Sequence, residues 1–209
     1  MMKKLTLFII NCSLLIAPVA HAAVDNRLVA RAESYLNGIT GLAGEFTQSS
    51  NGKNDRGTFS MLRPGRIRLD YSTLPIQLIS NGKDLYFYDK SLDQITTVPL
   101  TSTPAGILIR KNINLANADI TVSETNFDKA ANTFSLKMHI RGNEGVGQMV
   151  VNFSDDPMTL RSWTVIDATG SEVDVVFRGM KTKTDFPKNF FQLQKMRTTA
   201  NSGGDAFYE

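Results

Sequence analysis

The sequence predicts a mainly β protein built on one large, strongly curved antiparallel sheet. Two observations support this fold class. After residue 40, apolar and polar residues alternate with period two over about eleven short segments. Turn residues such as Asn51-Gly52, Asn81-Gly82 and Asp155-Asp156-Pro157 separate many of these segments. Because such short connections join antiparallel neighbours, the segments are expected to pair in sequence order.

The first 22 residues have the features of a secretory signal that is removed. Lys3 and Lys4 precede a mostly apolar run that ends at Ala20-His21-Ala22. An uncleaved membrane anchor is less consistent with this pattern, because the run is short for a span. Too little of the run precedes Cys12 for a lipoprotein signal. Removal of residues 1–22 leaves 187 of 209 residues and takes away two lysines, so the net charge falls from +3 to +1.

One amphipathic helix is predicted directly after the signal, in "VDNRLVARAESYLNGI". Asp25 or Asn26 can cap its start and Gly38 can end it. Its apolar residues fall at helical spacing and predict one buried face. These residues are Leu28, Val29, Ala32, Tyr35, Leu36 and Ile39.

The strands follow the helix in two groups, one before and one after residues 100–119. Each segment is short and bounded by turn residues, as expected for a sheet whose neighbouring strands pair consecutively. They are predicted near 44–49, 56–63, 66–72, 76–80, 84–88, 93–98, 120–127, 133–140, 147–153, 160–167 and 172–179.

Two segments interrupt or follow the strands. In "STPAGILIRKN", Thr103 can cap a short helix with Pro104 in its first turn. This helix is so apolar that it must be covered on most sides. A second short turn is predicted at 186–191. We expect one domain, residues 23–194, followed by a polar tail at 195–209.

The composition excludes several kinds of chemistry. Without residues 1–22 the chain has no cysteine and only His139 as a histidine, so neither a thiol nucleophile nor a zinc cluster is predicted. The glycine-rich "GNEGVG" joins two strands and opens no helix, which is the wrong context for a phosphate loop. A net charge of +1 lacks the basic footprint of a nucleic-acid-binding protein. We therefore predict no cofactor, no metal, no nucleic-acid partner and no enzyme activity, and the concave apolar face is either a packed core or a ligand cavity.

Five segments together resemble a known family, the LolA carriers of outer-membrane lipoproteins. The segments occur in the family's order and spacing, and the resemblance extends over residues 25–193. They are "GLAGEFTQ" (41–48), "GTFSMLRPGRIRLDY" (57–71), "NGKDLYFYDKSLDQIT" (81–96), "TPAGILIRKN" (103–112) and "MTLRSWTVIDATG" (158–170).

The resemblance implies a fold and a role. The fold would be an unclosed eleven-stranded antiparallel barrel, a half-barrel covered by a helical lid over an apolar cavity. The role would be that of a monomeric periplasmic chaperone for triacylated lipoproteins. It would receive them from an inner-membrane ABC transporter and carry them to the outer membrane. Where the receptor LolB exists, it would deliver them to that receptor. Two alternatives remain: a lipid- or lipoprotein-sensing regulatory domain, and, less consistent with the motifs, a hydrolase.

The resemblance also implies site residues. Arg63 matches the family's arginine that holds the lid closed through backbone carbonyls of the lid helices, which here are the N-terminal helix and residues 103–112. Ile67 and Leu69 match cavity-lining positions. Strand parity and lid placement add further candidates for the acyl-chain cavity. These are Tyr71, Leu85, Phe87, Ile107 and Leu108. Arg66 and Arg68 are expected on the solvent face of their strand or at a partner.

Overall fold

The computed structural model describes residues 24–193, with gaps at 117, 118, 143, 144 and 146. The predicted signal segment at 1–22 and the predicted tail at 195–209 lie outside this range. Within it, one α-helix precedes eleven strands, and two short 3-10 turns separate the sixth strand from the seventh.

Helix α1 spans Asn26–Gly38 and confirms the predicted helix. It begins where the Asp25 side chain accepts a hydrogen bond from the backbone N–H of Arg27, at 2.9 Å. Its buried residues are those predicted from the spacing, Leu28, Val29, Ala32 and Leu36. Tyr35 is half-buried, and its hydroxyl accepts a hydrogen bond from the backbone N–H of Leu160 at 2.9 Å, which ties α1 to the sheet.

All eleven predicted strands are present, each within three residues of its expected ends. They form a single sheet. The strands are β1 (Gly41–Ser50), β2 (Lys53–Leu62), β3 (Arg66–Tyr71), β4 (Ile76–Asn81), β5 (Asp84–Asp89), β6 (Gln94–Pro99), β7 (Ile120–Asp128), β8 (Thr133–Ile140), β9 (Gln148–Ser154), β10 (Thr159–Ile166) and β11 (Glu172–Thr182).

The strand order explains why the barrel stays open. The sheet runs β6-β5-β4-β3-β2-β1-β11-β10-β9-β8-β7, and every described pair is antiparallel. β1 and β11, the first and last strands of the chain, therefore pair in the middle of the sheet. β6 and β7 lie at its two edges and do not pair with each other. Most of the buried apolar residues lie on one face of the sheet, whereas Ile79 and Tyr88 are buried on the other face, which also carries Arg68. The fold is the predicted unclosed, eleven-stranded half-barrel.

The connection between β6 and β7 differs from the predicted short helix. Residues Leu100–Ser102 and Pro104–Ile107 form two 3-10 turns. Thr103 is a cap as predicted, because its hydroxyl lies 3.3 Å from the backbone N–H of Gly106. From the last residue of the second turn onward, three consecutive side chains are buried: Ile107, Leu108 and Ile109. A regular amphipathic helix would turn one polar face to water. Because these consecutive side chains are all buried, the segment has no such face.

The segment after β11 folds back along the outside of the sheet. Its predicted turn is present, with hydrogen bonds from Phe190 N–H to the Pro187 carbonyl (2.9 Å) and from Gln192 N–H to the Asn189 carbonyl (3.1 Å). Arg68 donates to the Phe190 carbonyl at 2.8 Å and stacks over that ring at 4.7 Å. The strand face that carries Arg68 is therefore covered by this segment rather than open to solvent.

Candidate functional site

The inner face of the half-barrel is divided into a filled part and a hollow part. Helix α1 contacts β7 and β8, and the turn Pro104–Ile107 contacts β8 and β9. We call α1 together with residues 100–116 the lid. The lid fills the β7–β9 side with a continuous apolar core. The hollow part lies over β3, β4, β5, β10 and β11.

The hollow part is an apolar cavity of about 300 Å³. The ends of the lid that close it are Leu100, Thr103 and Pro104, and the sheet supplies the rest. The lining residues from the sheet are Gln48, Ile67, Leu69, Tyr71, Leu78, Leu85, Trp163, Val165, Val173 and Val175. Beneath Trp163, the rings of Phe59 and Phe177 pack at centroid distances of 5.7 and 4.6 Å and form a rigid floor.

One end of this cavity is polar. The Tyr71 hydroxyl donates to Gln48 Oε1 at 2.6 Å. Burial, together with the nearby Asp55 carboxylate, raises the pKa of Tyr71 to about 12, so its hydroxyl stays protonated at neutral pH. An apolar pocket with a few fixed polar groups is the usual design of a site that binds and orients a lipid-like ligand.

The predicted cavity residues separate into two groups. Ile67, Leu69, Tyr71 and Leu85 lie in the lining. Phe87 lies outside it: the side chain follows Leu85 on the same face of β5 but is 42% exposed. Ile107 and Leu108 also lie outside the lining, because they are buried in the lid core at 0% and 2% exposure.

Sequence reasoning missed the far side of the cavity. Trp163 and Val165 on β10 and Val173 and Val175 on β11 face it. Their alternation was visible, but strands distant in sequence become neighbours only through the β1–β11 pairing. Leu78 could have been found, since it pairs with Leu69 across β3 and β4.

Arg63 lies between the sheet and the helix of the lid. The residue is only 8% exposed. Its Nη1 donates a short hydrogen bond to the Leu36 carbonyl in the last turn of α1. Its Nε and Nη2 are buried without a hydrogen-bond partner among the described residues. Burial lowers the pKa of this guanidinium to about 10, which still leaves it charged at neutral pH.

The other part of the lid, residues 100–116, is bound by Gly65, two residues after Arg63. The backbone N–H of Gly65 donates to the Ile109 carbonyl at 2.7 Å. The resemblance implied that Arg63 would bind both parts of the lid, whereas in the structure Arg63 binds α1 and Gly65 binds residues 103–112. The turn Arg63-Pro64-Gly65 thus contacts both parts.

The two parts of the lid are also bound to each other. Asn37 of α1 donates to the Ile113 carbonyl at 2.8 Å and accepts from the Ile113 N–H at 2.9 Å. Glu33 accepts from the Leu115 N–H at 2.7 Å. Because these bonds cross between α1 and the 100–116 segment, the lid is expected to move as one unit.

The described residues contain no group of His, Cys, Asp and Glu side chains arranged to hold a metal ion. No helix among them is long and apolar enough to cross a membrane.

A comparison with protein-family models matches residues 37–194 to "Outer membrane lipoprotein carrier protein LolA". This match extends over most of the chain and includes the half-barrel and the cavity. The chain belongs to the LolA family. The family resemblance inferred from the sequence motifs is thereby confirmed.

Curated LolA-family relatives carry the name outer-membrane lipoprotein carrier protein. The protein from Neisseria gonorrhoeae is 26% identical over 205 residues, 92% of this chain and 95% of the relative. The protein from Cupriavidus necator is 37% identical over 107 residues, a segment of 44% of this chain and about half (49%) of the relative's length. Among solved structures, a LolA superfamily protein from Nitrosomonas europaea matches with a TM-score of 0.44 at 10% identity, over 82% of this chain and 99% of that one.

Proposed function

We propose that this protein is a non-enzymatic periplasmic carrier that shields the acyl chains of outer-membrane lipoproteins. The observation that carries the proposal is an apolar cavity of about 300 Å³ beneath a lid whose helix is held by a buried arginine. The names of the relatives support the class of cargo. An inner-membrane ABC transporter as donor and an outer-membrane receptor of the LolB type as acceptor complete the proposed route.

The energetics of acyl burial favour a carrier with a finely balanced lid. Burial of acyl chain from water is worth about 0.8 kcal/mol per CH₂, so a chain of roughly sixteen carbons gains on the order of ten kcal/mol. Water is therefore never a competing destination. A membrane or a second apolar cavity is nearly equivalent to the first, so small terms in the protein set the direction of transfer.

Arg63 makes one such small contribution to the free energy of lid closure. A hydrogen bond to a charged group contributes about 1.5–3 kcal/mol. Burial of the same guanidinium, which lowers its pKa to about 10, opposes this gain. We infer that the net preference for the closed lid is modest. A modest preference permits loading and still favours release.

Loading requires the lid to move. A methylene is about as large as a water molecule, whose share of liquid volume is about 30 Å³, so the three chains of a triacylated lipoprotein, of roughly sixteen carbons each, need about 1,400 Å³. The whole void between the lid and the sheet, about 890 Å³, is smaller than these three chains. The lid must therefore shift away from the sheet, and this breaks the contact from Arg63 to Leu36.

The test is Arg63→Leu. Without the arginine, the closed state loses its hydrogen bond to α1 and the loaded state becomes relatively more favourable. We expect the carrier purified from the periplasm to retain more lipoprotein, and its transfer of lipoprotein to acceptor membranes to slow by about tenfold, the factor that corresponds to 1.4 kcal/mol.

The matched control is Arg161→Leu, since Arg161 is exposed on β10 and does not line the cavity. This variant should release its lipoprotein at the wild-type rate. Equal release rates for Arg63→Leu and the wild type would contradict the role of Arg63 as a latch.

Mass spectrometry of species that co-purify from the periplasm tests the carrier role itself. Acylated lipoproteins in the wild-type preparation support it. Free lipids without lipoproteins would favour a sensor domain or another lipid shuttle. A product formed from the bound lipid would favour a hydrolase.

A further inference from the structure

We propose that Gln48 and Tyr71 form a head-group subsite, which binds the ester or amide carbonyl where an acyl chain joins its head group. This inference rests on the proposed function and goes beyond it by assigning an orientation and a chemical selectivity to the cargo. It follows from the distribution of polar atoms around the cavity.

Four lining residues have side chains that can form hydrogen bonds: Gln48, Tyr71, Thr103 and Trp163. The Thr103 hydroxyl is already engaged within the lid, because it donates to the Leu100 carbonyl at 2.8 Å and lies 3.3 Å from the Gly106 N–H. Trp163 offers a single indole N–H on a ring that packs against Phe59 and Phe177. The paired polar groups at the end of the cavity are therefore those of Gln48 and Tyr71.

Within this pair, the amide nitrogen of Gln48 is the group available to a ligand. The Tyr71 hydroxyl donates to Gln48 Oε1 at 2.6 Å and so fixes the plane of the amide. The two N–H donors of Nε2 then make no hydrogen bond with the described residues. A donor at the end of an apolar cavity selects an acceptor, and the acceptors of an acylated head group are its ester and amide carbonyls.

The surrounding charge favours a neutral head group over a phosphate. Asp55 is the neighbour of Gln48 across the β1–β2 pair, and its carboxylate is close enough to Tyr71 to influence that hydroxyl. None of the described residues that line the cavity is a lysine or an arginine. A phospholipid phosphate would meet a carboxylate without a compensating cation, whereas a carbonyl meets only the amide donor.

The position of the subsite gives the bound chain a direction. Tyr71 lies at the end of β3, and Leu69 and Ile67 follow on the same face toward the start of the strand. Leu78 and Leu85 continue this apolar surface on β4 and β5. With its carbonyl on Gln48, an acyl chain runs along β3 toward Ile67 and the lid residue Leu100.

The test compares two probes that differ only in the carbonyl groups. One is a lipopeptide with a dipalmitoyl-glyceryl head, joined by esters, and the other is the same peptide with dihexadecyl ether links. Trp163 is the only tryptophan and lies in the lining, so its fluorescence reports binding. One net hydrogen bond predicts that wild-type protein binds the ester probe roughly two- to tenfold more tightly than the ether probe.

Gln48→Leu should remove this preference by weakening the ester probe alone. Tyr71→Phe should reduce the preference in part, because the amide is then less well fixed. Gln94→Leu is the matched control: Gln94 is exposed on β6 and outside the lining, so the wild-type ratio should persist. Equal thermal melting temperatures establish that each variant is folded.

The outcomes separate this inference from the proposed function. Equal affinity of wild-type protein for both probes overturns the head-group subsite and leaves the acyl carrier intact. An unchanged preference in Gln48→Leu also overturns the subsite. Failure of wild-type protein to bind either probe overturns the carrier and the subsite together.

Discussion

Three arginines within six residues, Arg63, Arg66 and Arg68, have two unrelated roles. Arg63 is buried beneath the lid and donates to α1. Arg68 lies on the opposite side of the sheet, where it pairs with Asp70 at 2.6 Å and binds the Phe190 carbonyl. Arg66 lies 5.9 Å from the ring of Phe191. The arginine cluster is therefore a set of intramolecular contacts, and neither a phosphate site nor an open partner surface is needed to explain it.

The buried environment of Arg63 predicts how a lysine would behave at this position. Burial lowers the pKa of Arg63 from its ordinary value to about 10. The same penalty would lower the pKa of a lysine at this position below its ordinary value of about 10.4. Below the lowered pKa the amine is charged and donates to Leu36; above it the charge is lost and the contact weakens.

We therefore expect Arg63→Lys to make cargo release dependent on pH. Release should be near the wild-type rate at about pH 6.5 and slower at about pH 9, because a lysine with the lowered pKa loses its proton between these values. The wild-type protein should change little over this range, since Arg63 stays charged. A flat profile for the variant would show that charge at position 63 does not control release.

At the scale of elements, the turn Arg63-Pro64-Gly65 is the junction between the sheet and the lid. Gly65 donates to Ile109, and its carbonyl accepts from the Ser80 hydroxyl at 2.8 Å. Gly65 has a φ of +72°, and an added Cβ would lie 2.5 Å from the Cα of Gly82. Glycine is required here both by backbone conformation and by the close approach of the next hairpin.

Gly65→Ala should therefore loosen the lid and destabilise the fold. The left-handed conformation costs about 1–2 kcal/mol for alanine, and the contact with Gly82 adds to that cost. We expect the free energy of unfolding in urea to fall by about 2–4 kcal/mol.

Gly52→Ala is the control for the conformational part of this loss. Gly52 has a φ of +73° in the β1–β2 turn, and nothing lies within 4 Å of an added Cβ. Its loss should be limited to about 1–2 kcal/mol. Equal losses in the two variants would mean that the contact between Gly65 and Gly82 has no energetic weight.

At the scale of the whole molecule, the inner face of the half-barrel has one side packed with side chains and one side that lines a cavity open to a ligand. On the β7–β9 side, rings such as Phe134 and Phe153 stack at 5.0 Å beneath α1. On the β3–β5 side, the sheet faces the cavity instead. Ligand can enter only where packing is incomplete, so the lid is expected to open from the Arg63 side.

Hydrogen exchange measures this opening directly. Loading with a dipalmitoyl lipopeptide should raise the exchange rate of the Gly65 amide, whose bond to the Ile109 carbonyl joins the sheet to the lid. The amides of Ile113 and Leu115 should keep their rates, because their bonds to Asn37 and Glu33 lie within the lid, which moves as one unit. Amides in the β8–β9 pair should keep their rates, because this part of the sheet is not displaced. Unchanged protection of the Gly65 amide would mean that cargo binds without lid movement.

Much of the architecture could be predicted because it is encoded locally. Period-two alternation and turn residues determined all eleven strands, and spacing determined the buried face of α1. Five segments taken together indicated the family. The family resemblance indicated Ile67 and Leu69, and strand parity indicated Tyr71 and Leu85, as residues on the surface that lines the cavity.

Only the tertiary structure decided which apolar residues surround open space and which are packed. Phe87 has the parity of Leu85 but lies beyond the cavity, and Ile107 and Leu108 were expected in its lining but fill the core. Trp163 and Val175 reach the cavity because β11 pairs with β1. Hydrophobicity and periodicity specify that a side chain leaves water, whereas the position of a cavity depends on how distant segments meet. For the same reason, the sequence by itself identified Arg63, and the fold identified the Leu36 carbonyl as its partner.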